Sequence, residues 1–372
     1  MRFALFTFLL VLSPLTGCLQ ADTIMTQNGE CIELSGAPDG DGTLRLLTYD
    51  IAAFSDELLS AFTDLTGFSV ELIRTDDAGG ILELMLQTQL APQADLAVGL
   101  DNTYLQTAID FCLLVPHQVD TLTVAPEVLE QYNGPFAVPF DQGHVCLNYD
   151  EHVVDGQDLS APTSLWNLTE PPWKGKTVFP SPLTSSPGRA FMIATVDYFE
   201  NDEDNKTDAF DWWKAMADND AIFTSGWTEA YEVHYSGGYG VWVDGHLGNA
   251  AITVSYCHSP GVEAFYGSNV TTSTSLVLPR STFHQVEYGA LINGGGNAEA
   301  ANAFLRFLLS EEVNANMPIN NLMKSVLVNA TWPSEEGYRY HTDEPTLNAN
   351  ISTVRMGQEM NAWLLAWSNA TR

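Results

Sequence analysis

Thr43-Leu-Arg-Leu-Leu-Thr-Tyr49 decides the fold. It is a short run of alternating and apolar residues that ends at Tyr49-Asp50, and its pattern predicts a strand over 43–49. Ser55 follows as a helix N-cap, and the helix runs to Thr66, where Gly67 stops it. Phe68–Arg74 is a second expected strand. Asp77-Ala-Gly-Gly80 opens a second helix over Ile81–Leu90, and Asp95–Gly99 is a third strand that runs out into Leu100-Asp101-Asn102. Strand, helix, strand, helix, strand in this order predicts a parallel sheet with helices on both faces. Ligands of such sheets sit outside the carboxyl ends of the strands. Tyr49-Asp50, Asp76-Asp77 and Asp101-Asn102 all stand at those ends.

Further along, Phe136–Tyr149 is a long extended segment of the kind that crosses between lobes, and Phe283–Ile292 is the expected return crossing. Between them, Lys176–Phe179 and Ala250–Tyr256 are expected strands. The loop Ser181–Gly188 opens a long helix reaching about Tyr198. Ala298–Leu309 and Met356–Trp367 have amphipathic helical spacing. The length of 372 residues favours two lobes over one core. The boundaries read from the sequence are 1–17 for a signal segment, 18–42 for a flexible tether, 43–140 with 286–330 for lobe 1, 141–285 for lobe 2, and 331–372 for a helical segment packing on the lobes.

There are 14 Lys and Arg against 47 Asp and Glu, a formal net charge of −33. Nucleic-acid phosphates would be repelled, whereas cations would be attracted. With 45% apolar and only 16% charged residues, the chain is not a disordered acidic polymer.

Met1-Arg2 followed by the apolar run Phe3–Leu12 reads as a signal-peptide core, too short to span a bilayer. Leu15-Thr16-Gly17-Cys18 then resembles the lipobox of exported lipoproteins, so Cys18 is the expected lipid anchor. The mature chain is expected to sit outside the cytoplasm, anchored to the membrane (periplasm or cell surface), as a monomer. Asn-x-Ser/Thr sequons at Asn167, Asn205, Asn269, Asn329, Asn350 and Asn369 fit export. Cys31, Cys112, Cys146 and Cys257 permit two disulfides in any of three pairings.

Thr224-Ser-Gly-Trp-Thr-Glu-Ala-Tyr231 carries two π faces and one carboxylate at two-residue spacing. Such a set suits a flat, positively charged small molecule; the plain reading is a half-buried strand beside a glycine turn. Ser185-Ser186-Pro187-Gly188 stands at a helix N-terminus, which suits a phosphate, a hydroxyl, or simple capping. The candidate aromatics are Tyr49, Trp227, Tyr231 and Tyr256. The candidate carboxylates are Asp50, Asp77, Asp101, Asp141 and Glu229. No serine-hydrolase elbow, zinc-protease motif or nucleotide loop is present in the sequence.

In their order and spacing these blocks resemble the thiamine-binding substrate-binding proteins of ABC importers. The residues that carry the resemblance are Thr48-Tyr49-Asp50, Val98–Asn102, Val138-Pro-Phe-Asp141 with Gly143, Ser185–Gly188, Gly226–Tyr231, and Ser255-Tyr256 with Ser259-Pro260. The resemblance covers most of residues 43–370. It implies a two-lobed type II periplasmic-binding-protein fold, α/β, each lobe a mixed sheet flanked by helices, with the ligand in the interlobe cleft. It implies that Tyr49, Trp227 and Tyr256 contact the ligand rings, and that Ser186, Gly188 and Ser259 lie near the hydroxyethyl or phosphate end. Asp50 and Asp77 become candidates for the aminopyrimidine or the thiazolium charge, and Asp101 is a further ligand-binding candidate. The ligand the resemblance implies is thiamine or a thiamine phosphate, carried as cargo with no cofactor, and the implied partners are the permease and ATPase subunits of the importer. Leu322 and Lys324 stand where the family often has a Trp and an aromatic, and Phe54 is nearest to another family Trp, so one stacking wall is expected to be lost. An iron(III) or polyamine receptor is the alternative on this fold. A thiamine-degrading enzyme is a further one, requiring a cysteine nucleophile for which Cys257 is the candidate.

Overall fold

The computed structural model describes residues 24–25, 29–36, 42–50, 54–156, 159–202, 207–238 and 248–372. The expected signal segment, Cys18, the sequon at Asn205 and much of the glycine-rich stretch 237–248 lie outside these residues.

The strands among them are β1 (Thr43–Tyr49), β2 (Ser69–Thr75), β3 (Leu96–Asp101), β4 (Leu114–Val115), β5 (Val138–Asp150), β6 (Thr177–Pro180), β7 (Ile222–Thr224), β8 (Ile252–Tyr256), β9 (Ser273–Leu276), β10 (Phe283–Ile292) and β11 (Lys324–Ser325). They join in one sheet whose main order is β2-β1-β3-β10-β5-β8-β6-β7. β1 runs parallel to β2 and β3, and β6 runs parallel to β7 and β8. β10 is antiparallel to β3 and to β5, and β5 is antiparallel to β8. Two parallel patches are thus joined through an antiparallel pair, β5 and β10, the two long strands that pass from one lobe to the other. The mixed α/β fold with helices flanking the sheet agrees with the expectation from sequence. The antiparallel centre is what a strand–helix alternation cannot show, because β5 and β10 pair across the whole stretch of chain that forms the second lobe between them.

The apolar residues separate into two cores. One gathers Leu44, Leu46, Phe62, Leu96, Val98, Phe140 and Phe304 with their neighbours. The other gathers Val145, Phe179, Phe191, Trp212, Trp213 and Val254. Each fully buried aromatic or large aliphatic side chain contributes roughly 1.5–3 kcal/mol. The two tryptophans also satisfy their ring N–H groups: Trp212 Nε1 donates to the Leu165 carbonyl at 2.8 Å, and Trp213 Nε1 to Thr195 Oγ1 at 3.0 Å. The C-terminal helix Thr353–Ala370 presents Met356, Met360, Trp363 and Trp367 to this second core.

Two features differ from the sequence reading. Residues 29–36, read as part of a flexible tether, are held on the first lobe. Cys31 is disulfide-bonded to Cys112, and Asn293 accepts from the Leu34 N–H at 2.8 Å and donates to the Ile32 carbonyl at 2.8 Å. Thr224–Tyr231 is not a strand throughout. β7 ends at Thr224, and the chain then turns into a wide helical turn, Glu229–His234. A turn beginning at Ser225-Gly226 moves the Trp227–Tyr231 spacing from the two-residue period of a strand to the four-residue spacing of one helical face.

Candidate functional site

Apart from Asp141, which lies inside β5, the candidate residues stand at or just after the carboxyl ends of strands, where the topology leaves a crevice. β1 delivers Tyr49, β2 is followed by Asp77, β3 ends in Asp101, β6 leads to Ser186, β7 to Trp227, and β8 ends in Tyr256 with Ser259 three residues on. The first three belong to one lobe and the others to the second.

The lobes touch across this crevice. Asp77 caps its helix by accepting from the Ala78 N–H at 2.6 Å, and the same carboxylate oxygen accepts from the Ser186 N–H at 3.4 Å. Ser186 begins the helix Ser186–Glu200, so a lobe-1 carboxylate sits on a lobe-2 helix N-terminus. The Arg189 guanidinium, on the same helix, lies 3.9 Å from the centroid of the Tyr104 ring. Its Nε donates to the Pro182 carbonyl at 3.0 Å.

Asp77, Asp101, Asp141 and Glu287 all act electrostatically on the Tyr256 phenol, and burial raises the pKa of all four. Removal from water pushes Asp77 and Asp141 up to about 7 and raises Asp101. It lifts Glu287 well above the carboxylate range, with further help from the nearby Asp141 charge. Desolvation disfavours the charged form, and each carboxylate disfavours ionisation of the next. Arg189 acts on Asp101 in the opposite sense.

The aromatic residues are tied into this set. Tyr49 Oη donates to Glu287 Oε2 at 2.8 Å. Gln285 Nε2 donates to Tyr256 Oη at 2.9 Å. Gly99 is what lets the Tyr49 ring lie against β3: its φ is +111°, and a Cβ there would stand 2.4 Å from Tyr49 Cε1. On the second lobe, Trp227 Nε1 donates to Ser255 Oγ at 3.0 Å, and the Ser255 and Ser259 hydroxyls are 2.8 Å apart. Ser259 Oγ also accepts from the Tyr256 N–H at 3.2 Å.

Not all the candidates converge. Asp50 is exposed, outside the buried set; its backbone carbonyl accepts from Arg74 at 2.8 Å. Gly188 has a packing reason: a Cβ there would stand 2.3 Å from the Pro180 carbonyl oxygen, and its N–H is directed to Ser185 Oγ at 3.4 Å. Glu229 is exposed and accepts from the Ser225 N–H at 3.0 Å and hydroxyl at 2.9 Å, so it caps the turn. Tyr231 is buried, stacked beneath Trp227. Phe54 is buried in the first core against Phe304. Leu322 offers its carbonyl to His258 Nε2 at 2.8 Å, and Lys324 pairs with Glu344 at 2.8 Å. Cys257 is bonded to Cys146 across β5 and β8, so the cysteine singled out as a nucleophile is half of a disulfide.

Glu287, Gln285, Asn321, Tyr104 and Arg189 were not marked by the sequence reading. A clue to Glu287 was available: it is the only acid in Phe283–Ile292, an otherwise apolar and neutral run.

The sequence model of the family described as bacterial extracellular solute-binding protein matches residues 57–319. The thiamine-binding periplasmic protein of Escherichia coli (strain K12) is 24% identical over 301 residues, covering 81% of this chain and 84% of that protein. A solved periplasmic thiamin binding protein superposes with a TM-score of 0.74 at 22% identity, over 91% of this chain and 99% of the other. Iron-bound HitA from Pseudomonas aeruginosa shares the fold with a TM-score of 0.64 at 17% identity, over 89% and 99%. The matched family model spans most of the chain, from the first helix through the crossing strands to the residues that close the cleft, and the protein belongs to the bacterial extracellular solute-binding protein family.

Proposed function

We propose that the protein captures thiamine outside the cytoplasm and delivers it to an ABC importer. The observation that carries this reading is the composition of the cleft. Buried acids of the first lobe and of the crossing strands act on Tyr49 of the first lobe and Tyr256 of the second, with Arg189 held at the cleft by Tyr104 and Pro182. A ligand that is both flat and positively charged satisfies both sets, the rings by stacking and the acids by charge compensation. Tyr49, Trp227 and Tyr256 are the proposed stacking residues. Asp77 and Asp101 take the charged or amino-bearing part, and Ser186 and Ser259 a hydroxyl. The similarity to thiamine-binding periplasmic proteins supports the same ligand. No covalent chemistry is required: ligand contacts to both lobes favour the closed arrangement. We place the chain at the membrane through a lipidated Cys18, with the permease and ATPase subunits of the importer as partners.

Calorimetry with thiamine, its mono- and diphosphates, iron(III) and spermidine tests this. Thiamine binding tighter than roughly 10 μM is expected of a scavenging receptor. Spermidine as the tight binder, with thiamine silent, would move the chain to the polyamine receptors. Recovery of intact thiamine after long incubation is the expected result of a separate arm; cleavage products would return it to the enzymes.

A further inference from the structure

Asp141 and Glu287 are cross-strand partners in the β5–β10 pair that joins the lobes. Asp141 is fully buried and Glu287 is 5% exposed. Their protein donors are uncharged. Asn321 Nδ2 donates to Asp141 Oδ2 at 2.5 Å and to Tyr49 Oη at 3.3 Å. Gln285 Nε2 donates to Glu287 Oε1 at 3.3 Å. The charged and titratable groups around them are Tyr49 from β1, Asp77 after β2, Asp101 from β3 and Tyr256 from β8. Arg189 acts on Asp101, and Lys324, on the strand paired with Asp141, turns its ammonium to Glu344. Two oxygens of this network have no hydrogen-bond partner among the described residues, Asp141 Oδ1 and Gln285 Oε1, and both residues are fully buried. A buried acceptor without a donor costs about 1–3 kcal/mol unless a ligand supplies one.

Two adjacent carboxyls away from water cannot both ionise unless a cation joins them. We propose that Asp141 and Glu287 are the charge-reading element of the cleft: they share a proton until a cationic ligand arrives, and they release that proton to solvent as the ligand's positive charge takes its place. The charge within the site is then conserved, with one cation in and one proton out. The inference rests on the proposed capture of an organic cation and adds that capture is proton-linked through the crossing strands. Burial holds Asp141 near 7 and raises Glu287 well above its ordinary value, which favours retention of the shared proton at the pH of the test.

The test is titration calorimetry of the full chain at pH 6.5 in phosphate and in imidazole buffer, whose ionisation heats differ. Thiamine, spermidine and choline are the probes. The expected result is release of close to one proton per bound cation, with affinity below pH 7 tightening as pH rises, by up to about tenfold per pH unit. Asp141→Asn and Glu287→Gln, each nearly isosteric with the native side chain, should cut the release to less than half and weaken binding at least tenfold. Two variants guard against one failing to fold. Spermidine or choline binding with this release, and thiamine silent, would sink the thiamine reading and leave the carboxyl pair standing. Cation binding with equal heats in the two buffers, or with release unchanged in both variants, would overturn the proposal. If no probe binds, both readings fall.

Discussion

The Tyr231 ring lies against that of Trp227, with centroids 4.8 Å apart and planes 16° from parallel, and its hydroxyl donates to the buried carboxyl of Glu263. Trp227 remains half-buried while Tyr231 is 1% exposed. The pair divides the work of a stacking wall: the outer ring is available, and the inner ring, anchored by its hydroxyl, fixes the outer one.

Trp227→Ala should therefore cost well over tenfold in thiamine affinity, with a far-ultraviolet dichroism melt close to that of the parent. Tyr231→Phe should do the reverse. It leaves the Glu263 carboxyl without that donor and destabilises by about 1–3 kcal/mol, while affinity falls less than in Trp227→Ala. Equal affinity in Trp227→Ala and the parent would make this Trp part of the packing.

Glu229 sits in the most distinctive block of the sequence yet points away from the cleft, capping Ser225. Glu229→Gln should leave thiamine affinity within about twofold and shift the melting temperature by no more than about 2 °C. A tenfold loss of affinity would return this carboxylate to the site.

At Gly99 the backbone φ of +111° and the Tyr49 ring at 2.4 Å leave no room for a methyl group. Gly99→Ala should destabilise by about 2–4 kcal/mol, the sum of backbone strain and displacement of the ring. Because Tyr49 must move, the loss of affinity should exceed tenfold even where the protein is fully folded. Urea unfolding and calorimetry on the same sample separate the two effects.

The Cys146–Cys257 bond joins neighbouring strands on either side of the Tyr256 position and closes a loop of sequence separation 111. Replacing both cysteines by Ala should lower stability by about 2–4 kcal/mol. A reducing agent should lower the melting temperature of the parent by more than that of the double variant, which has only the Cys31–Cys112 bond left to lose.

His144, His258 and His284 cluster around β5 and β10, His258 buried and the other two half-buried, with the His144 and His284 rings 4.7 Å apart. Burial lowers His144 and His258 to about 4 and His284 to about 3. Their native rings are neutral, whereas an unfolded histidine protonates near 6.5. Their contribution is thus complete above pH 6.5 and is lost as pH falls through about 4. The carboxyls of Asp77, Asp141 and Glu263, raised to about 7, act oppositely: their contribution is complete below about 4 and is lost as pH rises through 7. A difference measurement isolates the histidines. The parent should lose stability relative to His284→Gln by a few kcal/mol between pH 6.5 and 4. A constant difference in urea midpoints across that range would contradict the neutral-ring assignment.

The candidate site was legible where chemistry sits beside strand punctuation. Tyr49, Asp77, Asp101, Ser186, Trp227, Tyr256 and Ser259 all stand at strand ends, and a turn signal beside an aromatic or acid shows in one dimension. Glu287 and Gln285 escaped because they lie inside a strand, where alternation normally places a polar side chain in water. Glu287 is buried because β10 is flanked by β3 and β5, which bring Asp101 and Asp141 opposite it. Glu229 shows the complementary case: residue type put it among the candidate carboxylates, alternation suggested a supporting place instead, and a local turn gives the carboxylate a backbone partner.

The sequence by itself determined the elements, their order and the two-lobed class, because hydrophobic period, caps and glycine punctuation are local properties of the chain. It also carried the net negative charge and the aromatic blocks. Which acids became buried, which cysteines paired, and which ring of the Trp227–Tyr231 pair faces outward were decided only by tertiary structure. Each depends on strands far apart in sequence, such as β3, β5 and β10, meeting in one sheet, and burial by a distant strand leaves no mark on the residues it covers.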